Sequence, residues 1–256
     1  MQKDKHTALL LTLAIISTDA LVSIDATKAF GKTGGLPVAG AEEIVQPIME
    51  VAPLFGEEFT FEVNDNHPPE HIGFYTVYVD VPMNITELTT ETVGTIKLSD
   101  TAPFDHAYLE WYLEHNRHGG QNAWNVHGVI GTHEVERLAG LENLKASVTL
   151  FKGTDPKCDS HSGALDALGR STGLIEHLRA KNIKRIFLVG LAFDYCVGMT
   201  AIDLANAGFE VFIVMDATRS VGIKVDGFDS IKNMRRQLRR AGVRLIWSKD
   251  LIAANS

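Results

Sequence analysis

The chain has 256 residues, 45% of them apolar, which is enough for one large domain with a full hydrophobic core. Its formal net charge of -8 and pI near 5.7 argue against a nucleic-acid partner, which calls for a basic face. Cys158 and Cys196 are the two cysteines and build no disulfide framework, so reduced thiols and a cytoplasmic setting are expected.

Residues 1–17 read as an N-terminal extension, polar over 1–6 and mostly apolar over 8–16. The apolar run is too short to cross a bilayer as a helix, so no membrane partner is expected. It has the outline of a secretory signal, but Asp4, Thr12 and Thr18-Asp19-Ala20 suit cleavage poorly. A helix packed on the domain is the preferred reading, and export the alternative.

Residues 18–256 read as a single domain. Short apolar runs predict strands over 20–24, 59–63, 147–151, 185–189, 210–214 and 244–247. Helical spacing appears between them over 41–51, 165–181, 198–207 and 230–241. Gly208 and Gly242 stand where left-handed C-terminal caps are common. The helix at 230–241 carries Lys232, Arg235, Arg236, Arg239 and Arg240, which read as a solvated face. Strand–helix alternation predicts an α/β fold: a doubly wound, mostly parallel six-stranded sheet with helices on both faces. An insertion at about 73–123 breaks the rhythm. It holds a Thr/Val-rich stretch over 84–98 and a helical pattern over 107–115, and reads as a lid or an interface.

Three strand ends carry chemistry. Cys196 lies between the apolar run closing at Gly190 and the helical pattern that follows. A thiol there stands at a helix N-terminus, where free N–H groups favour thiolate. A buried structural cysteine is the competing reading. Asp25 ends the first apolar run and Lys152 ends the third. In an open parallel sheet the ligand site lies outside the carboxyl ends of the strands, so a base, a cation and a nucleophile would converge there.

A second constellation follows the second strand. Asp65 and His67, two apart in an extended loop, can share a cation, and His127 could supply a third ligand. Carboxylate plus imidazole suits Zn, Mn or Fe, and three protein ligands leave positions for water or substrate. His106, His115, His118 and His177 read as solvated, while His133 and His161 lie near the motifs without a clear partner.

As a set, these segments resemble the isochorismatase-like cysteine hydrolases and, within them, the nicotinamidases. The segments are Asp25-Ala26-Thr27-Lys28-Ala29-Phe30 with the Gly34–Ala41 loop, Lys152-Gly153-Thr154-Asp155-Pro156 leading to Asp159-Ser160-His161-Ser162, and Gly190-Leu191-Ala192-Phe193-Asp194-Tyr195-Cys196-Val197. They occur in family order. The resemblance implies hydrolysis of nicotinamide to nicotinate and ammonia through a thioester, in NAD salvage. It makes Cys196 the nucleophile, Asp25 the proton acceptor and Lys152 their electrostatic partner. It places the oxyanion hole at the Ala192 and Cys196 N–H groups, after a cis peptide. It brings Asp65, His67 and His127 forward as ligands of one divalent metal, zinc before Mn or Fe, with His71 as a fourth candidate. Phe30, Trp124 and Tyr195 would form a slot for a flat ring. The strand order would reverse beside the first strand. The partner is then a small-molecule substrate, and a homo-oligomer is compatible. Thr27, Ala29, Gly128 and His161 depart from the family's usual Gln, Asp, Cys and Tyr, which bears on substrate preference more than on reaction type. Another amidase on the same scaffold and a non-catalytic binding protein remain as alternatives.

Overall fold

The computed structural model describes residues 13–81, 87–225 and 227–256. Most of the N-terminal extension, and the start of the Thr/Val-rich stretch, therefore fall outside the described residues.

Six strands form one sheet: β1 (Asp19–Ile24), β2 (Thr60–Asp65), β3 (Val148–Lys152), β4 (Arg185–Leu191), β5 (Glu210–Arg219) and β6 (Arg244–Ile246). The order is β6-β5-β4-β1-β2-β3, and all five pairings are parallel. The order reverses at β1, which pairs with β2 on one side and β4 on the other. The carboxyl end of β1 thus opens a crevice at the point where the sheet winds in two directions.

The inner strands β1, β2, β4 and β5 are buried on both faces, as continuous apolar runs require, whereas the edge strands β3 and β6 expose one face. Leu21, Phe187, Val189, Phe212 and Val214 face one core, with α1 (Val45–Val51) and α6 (Ser248–Ala253). Val22, Ile24, Ile186, Leu188 and Ile213 face the other, under α3 (Leu174–Ala180), α4 (Cys196–Asn206) and α5 (Ser230–Arg240). Each fully buried Leu, Ile, Val or Phe contributes roughly 1.5–3 kcal/mol.

Three local expectations change. The helix expected over 165–181 begins only at Leu174. Before it, the Asp166 side chain accepts from Leu168 N and Arg170 N, and Thr172 Oγ1 donates to the Gly163 carbonyl at 2.6 Å. Such local side-chain bonds compete with helix formation. Strand β5 runs on past 214 to Arg219, with a register shift opposite Leu188–Gly190, and the Arg219 carbonyl accepts from Phe193 N. Trp247 is the N-cap of α6 rather than a strand residue, and that helix had not been expected.

The 73–123 segment builds a small core of its own. Its helix, α2 (His106–His115), is capped by Asp105, whose carboxylate accepts from Tyr108 N at 2.8 Å, a contact worth about 1 kcal/mol. Leu109 and Tyr112 of α2 pack with Ile72, Tyr78, Cys158 and Ala167. Cys158 is therefore a buried core residue, and burial pushes its thiol up to about 12. No helix among the described residues is long and apolar enough to cross a membrane.

Candidate active site

Asp25, Asp65, Lys152 and Cys196 come from four different strand ends and meet in one buried cluster. The Lys152 ammonium lies 3.0 Å from Asp25 Oδ2 and 2.5 Å from Asp65 Oδ1. It also donates to the Ser160 carbonyl at 2.9 Å and stands 3.6 Å from Cys196 Sγ. Asp25 Oδ1 accepts from the Asp65 backbone N–H at 2.8 Å, which ties the first two strand ends together. Asp25 itself takes a left-handed backbone (φ 49°), a conformation costing about 1–3 kcal/mol that recurs at functional sites.

Close packing at this point depends on glycine. At Gly190 (φ 108°) a Cβ would stand 1.9 Å from the Ile24 carbonyl oxygen, so only glycine lets β4 lie against the end of β1. At Gly153, directly after Lys152, a Cβ would stand 2.2 Å from His67 Cε1. Its absence lets the histidine ring lie against the backbone.

The proton balance differs from the helix-terminus expectation. Burial pushes the Cys196 thiol well above its ordinary range, with Lys152 pulling the other way and Asp25 and Asp65 adding to the rise. The resting sulfur is a thiol, with the Asp25 carboxylate near enough to add to its rise. The helix N-terminus and Lys152 do not outweigh burial plus two carboxylates. Burial, and then the Asp65 charge, push Asp25 up to about 6 against the pull of Lys152. Burial opposes the Lys152 charge, but Asp25 and Asp65 overcome it and hold the ammonium protonated. A base that is ionised at neutral pH thus shares the Lys152 ammonium with a thiol that is not.

The second group lies on the other side of Asp65. His67 Nε2 is 3.4 Å from Asp65 Oδ1, and His127 Nε2 is 3.7 Å from Asp65 Oδ2. Nδ1 of His67 contacts the Gly153 carbonyl at 2.9 Å, and Nδ1 of His127 the Asn125 carbonyl at 2.6 Å. A carbonyl only accepts, so both Nδ1 atoms carry protons, and both Nε2 atoms face the carboxylate, where each can hold either a proton or a metal ion. One ligand atom from each residue lies within 4.8 Å of the others. This is the tautomer and outer-shell support that metal-binding histidines use. Two buried carboxylates around one ammonium also leave a net negative charge, which a divalent cation would compensate. The residues fit such an ion.

His71 does not join this group. Its Nδ1 accepts from Gly73 N at 3.1 Å and its Nε2 faces the Cys158 carbonyl at 3.3 Å, so both ring nitrogens are occupied. Burial, and then His67, lower it to about 3 and keep it neutral, packed 4.3 Å from the His67 ring. In this arrangement His71 supports His67 from behind, and the three atoms grouped for an ion come from Asp65, His67 and His127.

Phe30, Trp124, Tyr195 and Ala192 line the pocket that holds Cys196 and the Asp65 group, about 450 Å³ of empty space including its mouth. Trp124 meets Tyr195 edge-to-face at 5.0 Å, and Phe30 meets His127 in the same way at 5.3 Å. The Leu191–Ala192 peptide is cis. The Ala192 carbonyl accepts from Tyr195 N and Val197 N, whereas the Ala192 and Cys196 N–H groups take no part in that turn. Leu36, Phe74, Asp159, Ser160, His161 and Val221 also line the pocket and were not expected there. Asp159, Ser160 and His161 come from one loop of the lysine segment and Leu36 from the glycine-rich loop, both quoted in the resemblance, whereas Phe74 and Val221 lie outside the quoted motifs. His118 is also corrected: its Nε2 is buried rather than solvated, the ring faces His161 at 6.3 Å, and burial lowers it to about 4.

Residues 161–250 match the isochorismatase domain family. Fold and match make the chain similar to the isochorismatase-like hydrolases, and its likeness to amide-cleaving relatives marks it as a hydrolase acting on an amide. The similarity over nearly the whole chain is to nicotinamidases. That of Acinetobacter baylyi is 27% identical over 234 residues, covering 91% of this chain and 94% of the relative. A solved Acinetobacter baumanii nicotinamidase/pyrazinamidase superposes with a TM-score of 0.74 at 26% identity, covering 92% of this chain and 99% of the other. An L. infantum relative, solved in complex with nicotinate, superposes with a TM-score of 0.68 at 25% identity, covering 93% of this chain and 96% of the other.

Proposed function

We propose that this chain hydrolyses nicotinamide to nicotinate and ammonia with Cys196 as nucleophile, and that it serves NAD salvage in the cytoplasm. The observation that carries this reading is a buried cluster in which one ammonium, Lys152, stands 3.6 Å from the Cys196 thiol and 3.0 Å from the Asp25 carboxylate, with the thiol in the same pocket as the Asp65–His67–His127 group. Nicotinate, bound by the L. infantum relative, is the product of that reaction.

Asp25 takes the thiol proton as Sγ bonds to the carboxamide carbon. The oxyanion meets the N–H groups of Ala192 and Cys196, and each such donor is worth roughly 3–4 kcal/mol of barrier. Collapse breaks the C–N bond, Asp25 returns the proton to nitrogen, and ammonia leaves a thioester. Water then gives its proton to Asp25, its oxygen bonds to the acyl carbon, and nicotinate departs as the thiol is restored. Lys152 holds Asp25 ionised and balances charge at the sulfur throughout. Asp65, His67 and His127 would hold one divalent ion, zinc in first place with Mn or Fe as alternatives, which when bound offers the substrate's ring nitrogen a positive centre. Residues 18–256 act as one catalytic domain, with the insertion as part of its pocket wall.

Ammonia release from nicotinamide, with and without a chelator, tests the reading. A reduced, metal-supplied enzyme that leaves nicotinamide intact but cleaves another amide would move the conclusion to a different small substrate. That second reading draws on the departures at Thr27, Ala29 and His161.

Two further outcomes are expected. His67→Ala should lose the metal, measured by elemental analysis, and raise the nicotinamide KM by at least about tenfold, since misplacement alone can cost about 10²-fold. Iodoacetamide should still label its Cys196, and Cys158 should stay unlabelled beneath the insertion core. The second outcome is an acid limb. A carboxyl with a pKa of about 6 is protonated below that value and cannot accept the thiol proton. kcat/KM should therefore fall about tenfold per pH unit below pH 6 and stay level towards pH 8. A profile flat down to pH 4.5 would remove Asp25 as the base.

A further inference from the structure

Asp159 is a buried carboxylate that takes no part in the chemistry above, and the insertion holds it in place. Gln121 Nε2 donates to Asp159 Oδ2 at 2.6 Å, and Gln121 Oε1 in turn accepts from the Tyr112 hydroxyl at 2.8 Å. Asp159 Oδ1 accepts from Ser160 N at 2.7 Å. Beyond it stands His161, whose Nδ1 faces Asp159 Oδ2 at 3.8 Å, an electrostatic contact longer than a hydrogen bond. On its other side, His161 Nε2 lies 3.3 Å from Trp124 Nε1. An indole N–H can only donate, so Nε2 must be the lone-pair nitrogen and the ring proton must sit on Nδ1, towards the carboxylate. Burial also lowers His161, which keeps the ring neutral.

We propose that Asp159 is a positioning residue that fixes His161 in one tautomer, and that His161 and Trp124 so joined form the specificity wall for a flat heteroaromatic carboxamide. The two rings line the pocket together with Tyr195, whose ring is tilted 33° to His161 at 5.8 Å. With Nε2 committed to the indole, the wall shows the substrate an uncharged ring face and no free donor. This rests on the amide-hydrolase reading above and adds which amides the site prefers. It also gives the insertion a task, because Gln121 and Tyr112 come from it.

The test reads the wall with and without substrate. The chain has three tryptophans, so a ¹⁵N spectrum holds three indole N–H signals, and Trp124→Phe assigns the one concerned. His161→Phe keeps a ring but removes the acceptor. Asp159→Asn keeps the volume but removes the negative charge that favours the proton on Nδ1, which frees the tautomer and weakens the indole bond. Gln121→Met removes a support without altering residue 159. All three should shift the Trp124 signal. His161→Phe and Asp159→Asn should raise the nicotinamide KM about tenfold with kcat nearly unchanged, and should narrow the preference for nicotinamide over an aliphatic amide by a similar factor. A Trp124 signal unmoved by Asp159→Asn would overturn the positioning role, and a moved signal with unchanged KM and preference would overturn the wall. If the parent enzyme leaves nicotinamide intact, the function proposed above fails. The same variants then decide the wall through the indole signal and the affinity for nicotinate.

Discussion

Cys196→Ala should abolish ammonia release, with a loss on the order of 10⁵–10⁶-fold, the scale seen when a nucleophile of this kind is deleted. No other group can take its place. Cys158 is sealed in the insertion core with its thiol pushed up to about 12, and Lys152 is held protonated between two carboxylates. The fold should survive, because the change removes one small atom at the edge of a pocket. Circular dichroism and a melting curve should match the parent, and metal content should be unchanged because Cys196 is not in the Asp65–His67–His127 group. Rapid mixing of parent enzyme with nicotinamide, followed by acid quench, should trap an acyl adduct on the peptide containing Cys196 and none in the variant. Substantial turnover by the alanine enzyme would end the nucleophile assignment outright.

What could be read in the chain beforehand is what lies close together along it. The apolar runs that end in Asp25 and Gly190 are visible because strands buried on both faces have no alternation to hide them, and the run ending in Lys152 is visible although that edge strand exposes alternate residues. Asp65 and His67 are neighbours in sequence, so their shared aim needed no tertiary knowledge. The missing parts depend on contacts between distant segments. The 165–181 segment has helical spacing, but Asp166 and Thr172 bind local backbone and delay the helix to Leu174. The resemblance brings His71 forward as a fourth ligand, yet in the fold its nitrogens face Gly73 N and the Cys158 carbonyl, the latter from a distant segment. The thiol's place at a helix start was legible, whereas the burial and two carboxylates that reverse its proton balance were not. Asp159 and His161 gain meaning only when Gln121 arrives from the insertion. Single-residue chemistry at strand ends was therefore legible, and the hydrogen-bonded shell around it was not.

That shell makes the Asp25–Lys152 pair the sharper test of mechanism. Asp25→Asn and Lys152→Met should each lower kcat/KM by about 10³–10⁴-fold, as removal of the orienting carboxylate of a catalytic triad does. The double variant should be scarcely worse than either single one, because once the base is gone its electrostatic partner has no proton transfer left to assist. The coupling would then be about 4–5 kcal/mol, the whole of one single loss. Stability should follow a different pattern. Asp25 is raised from 3.8 to about 6, so the folded state binds its proton more tightly, and ionising it costs stability as pH rises between those values. Asn carries no such cost, and Lys152 keeps Asp65 at 2.5 Å, so Asp25→Asn should melt near or above the parent at pH 7. Lys152→Met instead leaves Asp25 and Asp65 without their shared cation and should melt lower, and the double variant should recover part of that loss. Activity losses that simply add would separate the two residues into independent roles. Losses that track the melting temperatures would make both of them structural.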